Sequence, residues 1–331
     1  MSTPDYSKYI KNSFELVKKN RWLWVFAALL GSSGGYPAGP NFSKLFKDNN
    51  KPNADALKNI PFDAEKVLGD KVSYVQDWFQ SVPAYKFVLL IILIILLVLT
   101  ALTIILIVAS WGKGSLIKGI DMANSGEDVN LKNVSPFGFK YLKPMIQFSL
   151  LIMLAIFVTA IAIPFMWALI FLLFSGIGFL KIVWIILGII LIPVIALVLI
   201  FISTLVNLYG ERLIVLEELH AVEAFNKAVY LGKHSLFPAL LMGIVNKTIN
   251  YLIGLAFMIL FFITIFLPLY IPVRSFDTNP SFSAFLTLVI IIAFFVFIFI
   301  SIVFKASLTV FYYSNWNQLF NDVINNTKKN D

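Results

Sequence analysis

The chain contains no cysteine, so disulfides, thiolate nucleophiles, Fe–S clusters and Cys-ligated zinc are all excluded. Charge is scarce as well. Asp, Glu, Lys and Arg make up 13% of the 331 residues, against about a quarter in soluble domains, which places the chain outside the water-solvated globular class. No stretch alternates apolar and polar residues over about ten positions, which excludes a transmembrane β-barrel. There is no long Lys/Arg tract and no nucleic-acid-binding motif, so the net charge of +8 points to anionic lipid rather than nucleic acid. Walker loops, dinucleotide fingerprints and zinc-protease helices are absent too.

What fills the chain is hydrocarbon. Hydrophobic residues reach 59%, with 32 Phe, and the mean hydropathy is +0.86. They fall in continuous runs rather than at a helical or strand period, so the helices are apolar on every side, as lipid requires. About 20 apolar residues cross a hydrocarbon core of about 30 Å. Five stretches reach that length: 87–109, 146–174, 182–206, 248–271 and 284–304. Pro164, Pro193 and Pro268 fall within three of them and imply kinks, through packing or as hinges.

A sixth crossing is expected over 22–38. Its apolar part, Trp22 to Gly31, runs into Ser32-Ser33-Gly34-Gly35-Tyr36-Pro37. A signal peptide or a re-entrant segment would share this pattern, but the preceding 21 residues are long and themselves amphipathic. Lysine and arginine flank alternate sides of the spans. Lys8, Lys11, Lys18, Lys19 and Arg21 precede the first; Lys113, Lys118, Lys132, Lys140 and Lys143 follow the second; Arg212, Lys227 and Lys233 follow the fourth. The intervening connections hold only Lys181 and Arg274, apart from the long loop 39–85, whose length exempts it from the rule. Positive charge stays inside, so both termini are expected in the cytoplasm of a multi-pass cell-membrane protein, with 39–85 extracytoplasmic and 315–331 a cytoplasmic tail. These parts form one integral membrane domain.

Between the spans lie amphipathic segments. Thr3-Pro4-Asp5 reads as a helix start, followed by an apolar face of Tyr6, Tyr9, Ile10, Ser13, Phe14 and Val17. Ala221, Ala224, Phe225, Ala228 and Val229 repeat the arrangement after the fourth span, and Ser135-Pro136 opens a weaker third copy. The expected fold is therefore an all-α, polytopic bundle of six spans, with amphipathic in-plane helices preceding the first, third and fifth. Asn12 to Leu30 and Asn226 to Ile244 overlay without gaps, each with a Lys, a polar pair and an apolar run. Three such units of an in-plane helix plus a hairpin form the economical description.

The stretches Asn12 to Gly35, Trp111 to Met145 and Arg212 to Leu241 resemble uncharacterised bacterial six-helix membrane proteins related to the membrane domain of glycerophosphodiester phosphodiesterases. The Leu-Glu plus Ala-rich helix after the fourth span carries most of that resemblance. It implies a fold and a membrane address. Phosphodiesterase chemistry in that group belongs to a separate soluble domain, which this chain has no sequence to encode.

Candidate chemistry is sparse. Glu217, His220 and Glu223 have the Glu-x-x-His spacing of di-iron bundles, but His234 has no matching acid, so no metal, cofactor or enzymatic activity is expected. Polar residues at membrane depth are functional candidates by default. Here they are Gln147, Asn207, Glu211, Arg212, Asn246, Lys247, Asn250 and Lys305, all toward the cytoplasmic ends of their helices. They would line a cytoplasm-facing cavity, with Glu211 paired to Lys247 or Lys305, or they would snorkel to headgroups and bond between helices. The functional expectation is a non-enzymatic protein that organises, senses or scaffolds the inner leaflet through anionic headgroups, alone, as a homo-oligomer or with a membrane partner. The alternative is a transporter or lipid-handling protein using that cavity.

Overall fold

In hydrocarbon every backbone N–H and C=O must be satisfied internally, and a helix does this within each segment. The computed structural model describes residues 4–31, 83–174, 178–266, 268 and 280–328, and among them all regular structure is helical. The elements are α1 Tyr6–Lys19, α2 Leu23–Gly31, α3 Ala84–Asn124, α4 Leu131–Lys140, α5 Leu142–Phe174, α6 Gly178–Leu216, α7 Ala221–His234, α8 Leu236–Phe261 and α9 Pro280–Lys328. α8 continues as a π-turn, Phe262–Phe266, just before Pro268, whose missing N–H loosens the ladder there. Pro164 and Pro193 interrupt neither α5 nor α6.

Among the described residues, five helices are long and apolar enough to cross a membrane: Tyr85–Asn124, Leu142–Leu172, Ile182–Leu216, Leu236–Phe266 and Ala284–Lys328. The chain is an all-α, multi-pass membrane protein. The expected crossing over 22–38 is described only to Gly31, and its remainder, like the loop to residue 82, lies outside the described residues.

The chain divides into two units, Ala38–Leu106 and Met1–Pro37 with Ile107–Asp331. In the first, the described part of α3 exposes its side chains almost throughout, and the hydroxyls of Thr100 and Thr103 donate back to the carbonyls of Leu96 and Leu99 at 2.8 Å. That internal bond leaves no unsatisfied polar group facing lipid.

The second unit holds the core, and helix ends build it. Phe26, Leu116, Met145, Phe148, Leu213, Met242, Val310 and Phe320 belong to one buried cluster. It joins the start of α2, the end of α3, the starts of α5 and α8 and the ends of α6 and α9. Small residues permit the close approaches. Gly119 faces Leu23, where a Cβ would stand 2.6 Å from the Leu23 side chain, and Ala221, Ala224 and Ala228 are buried where α7 packs on α6. Gly126, with φ +78°, ends α3 in a Schellman turn, in which Glu127 N–H reaches the Met122 carbonyl at 2.9 Å.

Several expectations are corrected. The helix start read at Thr3-Pro4-Asp5 falls at Tyr6, with Asp5 as the N-cap of α1, accepting from the Lys8 N–H at 3.0 Å. The covered face of α1 is Tyr9, Ser13 and Leu16 against α9, while Phe14 is exposed beneath the Lys18 ammonium, 4.4 Å from its ring centroid. α4 starts at Leu131 with Asn130 capping the Asn133 N–H at 2.9 Å, so Ser135-Pro136 lies inside the helix and does not begin it. Residues 315–328 are no free tail. They continue α9, with Asn315, Trp316, Asn317, Leu319 and Phe320 buried against its neighbours. α2 is core as well, its Leu23, Phe26 and Ala27 fully covered.

Candidate functional site

The polar side chains of this unit gather where the apolar helices end. α6 brings in Glu211 and Arg212, both almost completely buried. A buried carboxylate needs a cation, and Glu211 has one. Its Oε1 lies 2.6 Å from the Nζ of Lys113 on α3. The expected pairing of Glu211 with Lys247 or Lys305 is therefore corrected: Glu211 turns inward toward α3, while Lys247 and Lys305 are exposed on α8 and α9. One residue on, the Arg212 guanidinium donates to the carbonyls of Leu208 at 2.8 Å and Tyr313 at 3.3 Å, and stands 5.5 Å from the Tyr313 ring centroid.

α9 is the hub of the remaining ties. Asn315 donates to the Asn246 side chain on α8 at 2.8 Å, and Asn317 to the Ile117 carbonyl on α3 at 3.2 Å. Ser314 and Ser13 of α1 are 2.8 Å apart, and Gln318 donates to Ser13 at 2.9 Å and to the Tyr9 carbonyl at 3.3 Å. Tyr9 donates to Asp322. Burial, and then this carboxylate, push the Tyr9 hydroxyl well above its ordinary pKa. Ser235, between α7 and α8, bonds to the Leu231 carbonyl at 2.6 Å and lies 2.7 Å from the Tyr209 hydroxyl. Together these bonds work as interhelical ties, made where the alternative would be an unsatisfied group in an apolar core.

A second set lies outside the spans. Glu218 follows α6 with a left-handed φ of 55°, a conformation glycine adopts more readily. Its carboxylate accepts from Lys140 at 2.6 Å and from the Tyr141 hydroxyl at 2.9 Å, which bind the α6–α7 connection to the end of α4. Those two hydrogen bonds hold the Glu218 carboxyl below the usual range, and the bond to Glu218 raises Lys140.

The eight candidates thus separate. Glu211, Arg212 and Asn246 are buried and tied, Asn207 and Asn250 are half-buried, and Gln147, Lys247 and Lys305 are exposed. None of them lines the groove of about 480 Å³ between α5 and α6, whose walls are apolar residues including Pro164, Trp167, Phe171, Gly188 and Pro193. Beside it Trp167 and Trp184 stack with centroids 4.4 Å apart. Glu217 and His220 stand in the connection before α7, not on a helix, and Glu217 pairs with Lys328 at 3.3 Å. Sequence reasoning missed Lys113, Ser13, Ser235, Asn315 and Asn317. A signal was present for Asn317, because Val310, Tyr313, Asn317, Phe320 and Ile324 continue a heptad-like stripe beyond the last span.

No protein-family model, curated protein or solved structure matches the chain.

Proposed function

We propose that this is a non-enzymatic membrane protein whose packed helix ends lie at the cytoplasmic leaflet, where its lysines gather anionic headgroups and the bundle organises or scaffolds the membrane. The carrying observation is an imbalance of pairing. Glu211, Glu217 and Glu218 are each engaged by a lysine. Lys8, Lys11, Lys18 and Lys19 of α1 are exposed, with no carboxylate partner among the described residues. Exposed Phe14 and Trp22 are interleaved with them, the aromatic-plus-basic composition of membrane interfaces.

The topology belongs to the same proposal. α1 and the end of α9 are bonded to each other, so they share one side, and an even number of crossings separates them. Five long helices among the described residues make an odd number, which supports the expected sixth crossing over 22–38. The amphipathic helices α1, α4 and α7 each precede an apolar helix, and we take them as elements of the headgroup layer. The relation to the membrane domain of glycerophosphodiester phosphodiesterases is proposed on the three stretches already named, and it adds no activity.

The full-length protein in nanodiscs of equal phosphatidylglycerol and phosphatidylcholine, examined by native mass spectrometry, should retain phosphatidylglycerol preferentially. With about 1 kcal/mol per surface lysine, replacing Lys8, Lys11, Lys18 and Lys19 by Gln should reduce that preference more than tenfold. Equal retention of the two lipids by the unmodified protein would sink the proposal.

A further inference from the structure

The rim lysines lie outside the spans, but Lys247 stands on a spanning helix with no carboxylate partner among the described residues. Lys247 is exposed on α8, within the Leu236–Phe266 segment that is apolar enough to cross a membrane. The sequence of α8 contains no Asp or Glu, and α9, which packs beside it, has none before Asp322. A cation at membrane depth is ordinarily paired or drawn to headgroups.

Its neighbours are suited to a phosphate. Tyr251 lies one turn further on the same face, at i+4, and Thr248 stands at i+3 from Tyr251, on the flank of that face. All three are exposed, Tyr251 at 73%. An ammonium and two hydroxyls offer donors to phosphate oxygens. The rotation of α8 is fixed from behind, where Ala239, Met242 and Asn246 are buried and Asn246 is bonded to Asn315 at 2.8 Å. The outward direction of Lys247 is therefore set by packing.

Depth agrees with this. From Lys247 to Phe266 a helix rising 1.5 Å per residue covers about 30 Å, one hydrocarbon thickness. Beyond Tyr251 the exposed surface includes Leu252, Leu255 and Ile259, which suits an acyl chain.

We propose that Lys247, Thr248 and Tyr251 form a binding site for the phosphate of an anionic phospholipid, whose acyl chain lies along Leu252, Leu255 and Ile259. An anionic lipid is favoured over a zwitterionic one because α8 offers no carboxylate to receive a headgroup amine. The inference rests on the inner-leaflet reading above and gives it a discrete site.

The test uses the full chain in the mixed nanodiscs, with a trace of phosphatidylglycerol carrying a photoreactive acyl chain. Crosslinks should map to α8 between Leu252 and Ile259. Lys247→Leu should reduce both crosslinking and phosphatidylglycerol retention about fivefold, Tyr251→Phe should reduce them less, and Lys247→Arg should preserve them. Lys247→Leu places an apolar group on an exposed apolar helix, and an unchanged melting temperature verifies the fold. Crosslinks confined to α1, or unchanged retention in Lys247→Leu, overturn this site while the rim reading stands. Loss of retention in the α1 variant with α8 crosslinks intact leaves both standing, and no phosphatidylglycerol preference at all removes both.

Discussion

Glu211 and Lys113 show how far a residue can be from its explanation in the sequence. Lys113 reads as one of several loop lysines that set orientation, yet it reaches 2.6 Å from a carboxylate 98 positions later. Nothing local encodes that pairing, since it depends on α3 and α6 meeting. Truncating one partner leaves a buried charge alone, at about 3–5 kcal/mol, while replacing both by apolar groups is often close to neutral. Lys113→Met should thus lower the melting temperature in detergent sharply, and Lys113→Met with Glu211→Leu should recover most of the loss. A double variant as unstable as the single one would show that the pair acts otherwise. Glu218 offers a pH test outside the spans. Its folded-state pKa is depressed, so its contribution is fully present above the unfolded carboxyl value of about 4.3 and disappears as pH falls through the still lower folded value. Lys140 is shifted the opposite way and loses its contribution only as pH rises through its raised folded value. The melting-temperature difference between wild type and Glu218→Gln should be flat from pH 6 to 8 and should shrink below about pH 4.

At the scale of elements, the legible part is the hydrocarbon. Runs such as Phe87 to Ala109 carry their own length, and the structure contains a helix for each. Helix ends were less legible because burial there is by other helices rather than by lipid. Asn315 and Asn317 look like the start of a polar tail until α1, α3 and α8 supply partners for their surroundings. α2 shows the converse, for its apolar run reads as lipid-facing and Phe26 is instead sealed in the core. Close packing at these ends gives a sharp prediction at the α5–α6 crossing. A Cβ at Gly210 would overlap the ring of fully buried Phe148. Gly210→Ala should destabilise by about 1–3 kcal/mol through overpacking, and adding Phe148→Leu, which shortens the obstructing side chain, should restore part of it. Full tolerance of Gly210→Ala alone would mean that the two helices separate there more freely than the structure has them.

For the whole molecule, the decisive feature is that its first and last helices are fastened together. Asn12 bonds to Gln318 at 3.2 Å, with Ser13 and Ser314 beside them. This contact joins residues 306 positions apart and survives only if the chain returns to its starting side. The absence of cysteine makes the test clean. Asn12→Cys with Gln318→Cys should form a disulfide on mild oxidation, whereas Lys8→Cys with Gln318→Cys, displaced by about one turn, should form it more slowly. Single cysteines at Ser7 and Asn326 should then be labelled by a membrane-impermeant maleimide from the same side, and one at Lys181, in the α5–α6 hairpin, from the other. Labelling of Ser7→Cys and Asn326→Cys from opposite faces would break the parity behind the proposed six-crossing topology. It would also remove the shared layer in which α1 and the exposed face of α8 are proposed to meet the headgroups.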